Sequence, residues 1–257
     1  MPLKNAKITI CEKSEEFVTK AAESIVSAIE AAPGALKLIS LSGGSTPFPV
    51  YRCLPGLLHN SGLADHCYWL QTDERLVSPE DERSNQRAIL LSLFADGLLP
   101  KSHFFAVPLT EPGRPQRQIS EAYQQSLQKL PDQLRPPAAI DLIVLGVGND
   151  GHTASLFPET DWKREFDTDF AVFEPTSQPE ARLSLTFGSI MRARELLFLV
   201  SGYAKQKILE EIFLDPHCEC PAAVIARQRS TRWVINAAAV SPHMRSVLSL
   251  SEAVKQS

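Results

Sequence analysis

With 257 residues, of which 44% are hydrophobic and 22% charged, the chain has enough material for a full hydrophobic core and reads as an ordinary globular protein. Its formal net charge of -4 argues against broad binding to nucleic acid while leaving room for a local basic pocket that takes a small anion. No basic start leads into a signal-like apolar core, and no apolar run approaches the ~20 residues of a membrane span, so a cytoplasmic protein without membrane partners is expected.

Taken in chain order, residues 15–31 place apolar side chains at three- and four-residue spacing and predict a helix; residues before 36 suffice for one strand and that helix. Residues 36–41 form a short apolar run that predicts a buried strand. It ends in Ser42-Gly43-Gly44-Ser45-Thr46-Pro47, where the glycines permit a sharp turn and Pro47 suits the first turn of a helix over 47–58, with Ser45 or Thr46 as its cap. Free amides and hydroxyls at such a helix start suit a phosphate, although the Gly-Lys-Ser/Thr ending of a Walker loop is missing. A strand over 68–70 leads to Thr72-Asp73-Glu74-Arg75, where Arg75 is placed to meet an anion while a neighbouring carboxylate orients it. Ser84 or Asn85 then caps a helix over 85–94.

The Pro-rich pieces 111–115 and 134–137 are read as loops flanking a helix over 118–130. The strand predicted over 140–147 carries Gly146, Gly148 and Gly151 in a G-x-G-x-x-G pattern. A dinucleotide site needs that turn to launch a long helix, yet Pro158 follows Gly151 by seven residues and leaves room for about two turns. What remains is a glycine-lined loop setting Asp150 and His152 beside a helix start, with hydroxyls from Thr153 and Ser155. Further on come Arg182-Leu-Ser-Leu-Thr186, a strand over 196–200, and a helix over 203–213 with Lys205 in its first turn, where a bound phosphate would offset the opposed dipole. A last strand is predicted over 233–235. The five cysteines are odd in number and scattered, which implies reduced thiols; Cys218-Glu219-Cys220 beside His217 is a poor match to zinc spacing, so no metal is expected.

Alternating strands and helices imply an α/β fold: an open, mostly parallel, doubly wound sheet with helices on both faces, Rossmann-like but not dinucleotide-binding, as a single domain over residues 1–257. In such sheets the ligand sits beyond the carboxyl ends of the strands, so the loops after Leu41, Leu70, Val147 and Val200 are expected to share one cleft.

The ordered set Ser42 to Pro47, Asp73-Glu-Arg-Leu-Val77 with Ser84-Asn85, Asp141 through Pro158, Arg182 to Thr186 and Gly202-Tyr-Ala-Lys205 resembles the 6-phosphogluconolactonase family, which is related to the glucosamine-6-phosphate deaminases. The resemblance implies hydrolysis of 6-phospho-D-glucono-1,5-lactone to 6-phosphogluconate without metal or organic cofactor; a monomer is expected. It implies His152 as general base oriented by Asp150, and a substrate site made of Ser42, Gly43, Gly44, Ser45, Thr46, Asp73, Arg75, Gly151, Arg182 and Lys205. Ser78 stands where that family commonly has proline and Asn236 where it usually has aspartate, both away from the catalytic positions. The deaminases read Asp-Glu-Tyr and Gly-His-Ile-Ala-Phe-Asn where this chain has Asp73-Glu-Arg75 and Gly151-His-Thr-Ala-Ser-Leu156. A non-catalytic sugar-phosphate sensor would need a DNA-binding module for which the sequence has no room.

Overall fold

The computed structural model describes residue 3 and residues 5–109, 116–135 and 139–255, so the Pro-rich stretch 111–115 and residues 136–137 of the second lie outside the described residues. The chain opens with strand β1 (Ala6–Cys11), helix α1 (Ser14–Ala31), strand β2 (Lys37–Leu41) and helix α2 (Phe48–Asn60). Strands β3 (Cys67–Gln71) and β4 (Asp73–Arg75), helix α3 (Asn85–Leu93), strand β5 (Phe104–Phe105) and helix α4 (Gln116–Leu127) follow. The second half runs through β6 (Leu142–Leu145), β7 (Phe170–Phe173), β8 (Arg182–Leu185), α5 (Phe187–Arg192), β9 (Glu195–Val200), α6 (Gln206–Leu214), α7 (Pro221–Gln228), β10 (Thr231–Asn236) and α8 (Pro242–Lys255).

Seven strands form one parallel sheet in the order β1-β10-β9-β6-β2-β3-β5. From β2 the chain builds outward through β3 to β5, then returns to lay β6 on the other side of β2. The expected doubly wound α/β sheet is therefore present, with its switch point between β2 and β6. A crevice opens there because the connections leaving the two strands run to opposite sides.

Parallel strands covered on both faces need apolar side chains at consecutive positions, and pleating sends those side chains alternately to either side. Leu142 and Val144 of β6, with Leu197 and Leu199 of β9, join one core with Phe17, Ile25 and Ile29 of α1, Tyr51 and Leu54 of α2, and Ile89 and Leu93 of α3. Ile143, Leu145, Leu196, Phe198 and Val200 turn the other way, to Tyr123 and Leu127 of α4, Leu209 and Phe213 of α6, Ile225 of α7 and Met244 of α8. On α1 the buried set Phe17, Ala21, Ala22, Ile25, Ala28 and Ile29 recurs at helical spacing, which is why this segment winds as a helix and lies along the sheet. Each fully buried Leu or Ile contributes roughly 1.5–3 kcal/mol over its exposed state.

A second, antiparallel sheet, β4-β8-β7, sits beside the first. It was not expected from the sequence. Its middle strand pairs Asp73 with Ser184, Glu74 with Leu183 and Arg75 with Arg182, and so carries charged residues to the mouth of the crevice. Ser84 caps α3 by accepting from the Arg87 amide at 3.2 Å, and Asn236 caps the short turn after β10 by accepting from the Ala238 amide at 3.0 Å.

Candidate functional site

The loops leaving β2, β6 and β9, together with β4 and the start of β8, enclose a cavity of about 510 Å³ at the switch point. That volume is in the range of small-molecule sites. Ser42, Gly43, Gly44, Ser45, Thr46, Asp73, Arg75, Asp150, His152, Arg182 and Lys205 all line it; Gly151 does not, but is buried within the loop that carries His152.

That loop is shaped by glycine. The Gly148 amide donates to the His152 carbonyl at 2.8 Å and the Gly151 amide to the Gly148 carbonyl at 3.1 Å, a turn that needs φ of +81° at Gly151. A Cβ on Gly148 would stand 2.1 Å from His152 Nδ1 and 2.5 Å from Asp150 Oδ1, so the histidine and the aspartate can meet only over a bare backbone. They do meet: His152 Nδ1 lies 2.6 Å from Asp150 Oδ1. With its Nδ1 proton held by that carboxylate, the imidazole keeps Nε2 as its basic nitrogen. Phe157 supports the ring from behind, centroid to centroid 4.3 Å. Burial pushes the Asp150 carboxyl up, but the hydrogen bonds and charge of His152 outweigh it and hold the group below the usual carboxylate range.

No helix starts after His152, contrary to the sequence reading. Thr153 and Leu156 form a single antiparallel bridge around Ala154, whose φ of 51° is the one positive value at a non-glycine position among the described residues. The chain doubles back instead of winding. The two hydroxyls tie this turn to its neighbours: Thr153 Oγ1 donates to the Gly146 carbonyl at 2.8 Å and Ser155 Oγ to Asp73 Oδ2 at 2.6 Å. Asp73 is thereby engaged by Ser155, and Asp150 is the carboxylate on His152.

Across the cavity, the β4–β8 register sets Arg75 directly opposite Arg182. Like charges at facing positions repel, so this pair calls for an anion. Arg182 is only 5% exposed; its Nη2 donates to Gln178 Oε1 at 3.0 Å, while its buried Nε has no partner. Burial first, and the charge of Arg75 next, hold its guanidinium below the ordinary arginine value. The sequence reading had a carboxylate orienting Arg75; the partner observed is instead the Arg83 carbonyl, which accepts from Nη1 at 2.6 Å. Arg83's own side chain pairs with Asp81 and Glu180.

Ser42 Oγ is likewise buried without a partner. Unpaired polar atoms on a cavity wall are groups a polar ligand can satisfy. Gly43 admits the Asn85 side chain, whose Oδ1 would fall 1.9 Å from any Cβ added there. Helix α2 begins at Phe48 with Pro47 in the cap position and no side-chain cap, so neither Ser45 nor Thr46 caps it. Their place is on the cavity wall.

Lys205 ends a 3-10 turn just ahead of α6 and donates from Nζ to Asn149 Oδ1 at 2.7 Å. Burial lowers its pKa, opposed by the charge of Asp150. Asn149, Asn85 and Gln178 line the cavity too. Sequence reasoning gave Asn85 only a capping role and missed the other two, because neutral amides carry no charge or spacing signal. At Cys218 and Cys220 there is no metal centre of the usual kind: among the described residues no three or more His, Cys, Asp or Glu side chains are grouped to hold an ion.

Comparison with known proteins identifies the family and the fold. Residues 12–234 match the family described as glucosamine-6-phosphate isomerases/6-phosphogluconolactonase. A 6-phosphogluconolactonase from Synechocystis sp. is 37% identical over 205 residues, covering 77% of this chain and 81% of its own. The crystal structure of 6-phosphogluconolactonase from Thermotoga maritima superposes with a TM-score of 0.74 at 27% identity, covering 90% of this chain and 99% of that one. A monomeric glucosamine-6-phosphate deaminase of 21% identity shares the fold, with a TM-score of 0.73 over 91% of this chain and 98% of its own. On the match over residues 12–234, the chain belongs to the glucosamine-6-phosphate isomerase/6-phosphogluconolactonase family.

Proposed function

We propose that the protein is a 6-phosphogluconolactonase, hydrolysing 6-phospho-D-glucono-1,5-lactone to 6-phosphogluconate, with His152 as general base. The observation that carries the assignment of the base is the 2.6 Å contact of His152 Nδ1 with Asp150 on the wall of a cavity that also holds Arg75, Arg182 and Lys205. Nε2 takes a proton from water as the water oxygen attacks the lactone carbonyl carbon. Negative charge gathers on the carbonyl oxygen, where a fixed cation or amide stabilises it. The tetrahedral intermediate then expels the ring oxygen, which takes the proton back from the imidazolium, and the carboxylic acid so formed releases the other water proton to solvent and leaves as the carboxylate. Asp150 holds the imidazolium during the step without itself taking the proton, as a carboxylate held below its ordinary range is suited to do.

A lactone is an activated ester. A positioned base, worth ~10²–10⁴-fold, plus charge stabilisation suffices for it without a nucleophilic serine. The phosphate dianion explains why two arginines face each other across β4 and β8. The same reading takes the chain as one domain and as a cytoplasmic monomer with no nucleic-acid partner; the charged residues assigned to the site all come from this one chain.

The test generates the lactone in situ from glucose 6-phosphate and follows its loss above the spontaneous rate for wild type and His152→Ala, both shown folded. Rapid loss with wild type and a drop of about a hundredfold or more in the variant is expected. A wild-type rate equal to the spontaneous one, with 6-phosphogluconate still bound, would leave a sugar-phosphate binding module.

A further inference from the structure

Outside the cavity, one cluster of reactive side chains touches the catalytic loop. Cys218 and Cys220 bring their sulfurs to 3.4 Å of each other, and both are half-buried free thiols. A disulfide bond is ~2.05 Å long, so closure asks for a movement of little more than an ångström shared between two side chains. The turn that presents them is already fixed. Arg227 of α7 donates to the carbonyl of Cys218 and, at 3.3 Å, to that of Pro216, while the intervening Glu219 is drawn outward by Lys163 at 2.8 Å.

Cys220 also forms the wall behind Gly151. A Cβ on Gly151 would stand 2.4 Å from the Cys220 sulfur and 2.5 Å from its Cβ, and the Ala222 amide donates to the Gly151 carbonyl at 3.1 Å. Gly151 immediately precedes His152. Any displacement of Cys220 toward Cys218 therefore withdraws the surface against which the histidine's loop is seated.

We propose that Cys218 and Cys220 close a reversible disulfide, and that its closure shifts the Gly151–His152 backbone and lowers turnover. The oxidant is a small-molecule disulfide such as oxidised glutathione. The Cys218 thiolate attacks one of its sulfurs and releases one thiolate, which takes up a proton. Cys220 then gives its own proton to solvent and attacks the Cys218 sulfur, releasing the second thiol. Two protein thiols have lost two electrons and two protons, and the small disulfide has become two thiols. Cys220 is packed against Gly151, which leaves Cys218 as the sulfur that meets the oxidant and Cys220 as the one that resolves it.

The test uses the full chain with Cys53→Ser, which removes the exposed thiol on α2, equilibrated in a series of reduced and oxidised glutathione mixtures. Alkylation with mass mapping reads the pair directly, and the ring NMR signal of His152 reads the loop; neither depends on the proposed substrate. Lactone turnover is followed in parallel. The expected result is a Cys218–Cys220 disulfide, a shifted His152 signal and turnover lowered about tenfold or more, all restored by dithiothreitol and absent in Cys218→Ser. Cys218→Ala serves as a second variant should Cys218→Ser fold poorly. Thiols that stay reduced or stop at mixed disulfides across the series overturn the pair. A disulfide that forms with the His152 signal unmoved overturns its coupling to the loop.

Discussion

Gly148 shows how a residue with no side chain can set a catalytic geometry. The space its Cβ would take is occupied by the facing atoms of His152 and Asp150. Gly148→Ala is expected to push the imidazole off the aspartate, lowering kcat about a hundredfold while KM changes little; paired kinetics and a melting curve separate this from unfolding. Lys205 offers a pH test. Because burial lowers its pKa and an anionic ligand favours the charged form, affinity for 6-phosphogluconate falls as pH rises through that lowered value. The fall begins at lower pH than an ordinary lysine would give, and Lys205→Arg moves it upward; titration calorimetry across pH reads both. Most cavity residues were legible because charge and glycine leave marks in sequence. Asn149 and Gln178 were not, because they act by holding Lys205 and Arg182, and that geometry exists only once the loops meet.

At the level of elements, α3 is anchored by a carboxylate that belongs to a neighbouring strand. Glu74 accepts from the amides of Arg75 at 2.7 Å, Asn85 at 2.8 Å and Gln86 at 2.7 Å, and from Gln71 Nε2 at 2.6 Å. Burial pushes its carboxyl up despite these bonds. Glu74→Ala strands several buried donors at a helix N-terminus. It is expected to cost about 3 kcal/mol in urea denaturation, and, through displaced Asn85, to raise KM as well. The parallel strands β2, β3, β6, β9 and β10 were readable because burial on both faces demands unbroken apolar runs such as Leu142 to Leu145, whereas the two-residue β5 was missed. The second sheet was hidden for the opposite reason. Its strands are three or four residues long, and one of them spells Asp73-Glu74-Arg75, a sequence that reads as solvated surface until β8 pairs with it. Likewise α7 and α8 are short or mixed in pattern and were missed, while β1 alternates half-exposed and exposed positions as an edge strand does.

For the molecule as a whole, a net charge of -4 coexists with a cavity where Arg75, Arg182 and Lys205 converge. The global charge repels a dianionic ligand at long range and the cavity draws it in at short range. Salt screens both, but the buried part less. With the attraction at the mouth dominating binding, KM for the lactone is expected to rise with ionic strength while kcat stays level, measured between roughly 0.02 and 0.5 M salt. A KM indifferent to salt would place recognition on neutral contacts instead.

The sheet order also governs how the chain must be assembled. Strand β1, which precedes every other described strand in the chain, has among the described strands a single neighbour, β10, whose partner residues begin at Thr231. Until residues 231–236 have been synthesised, β1 lacks its partner strand, and the apolar side of α1 has only part of its final support. Such long sequence separation slows folding and prolongs the lifetime of an open strand edge. Nascent chains halted short of residue 231 would therefore be the species most dependent on chaperones.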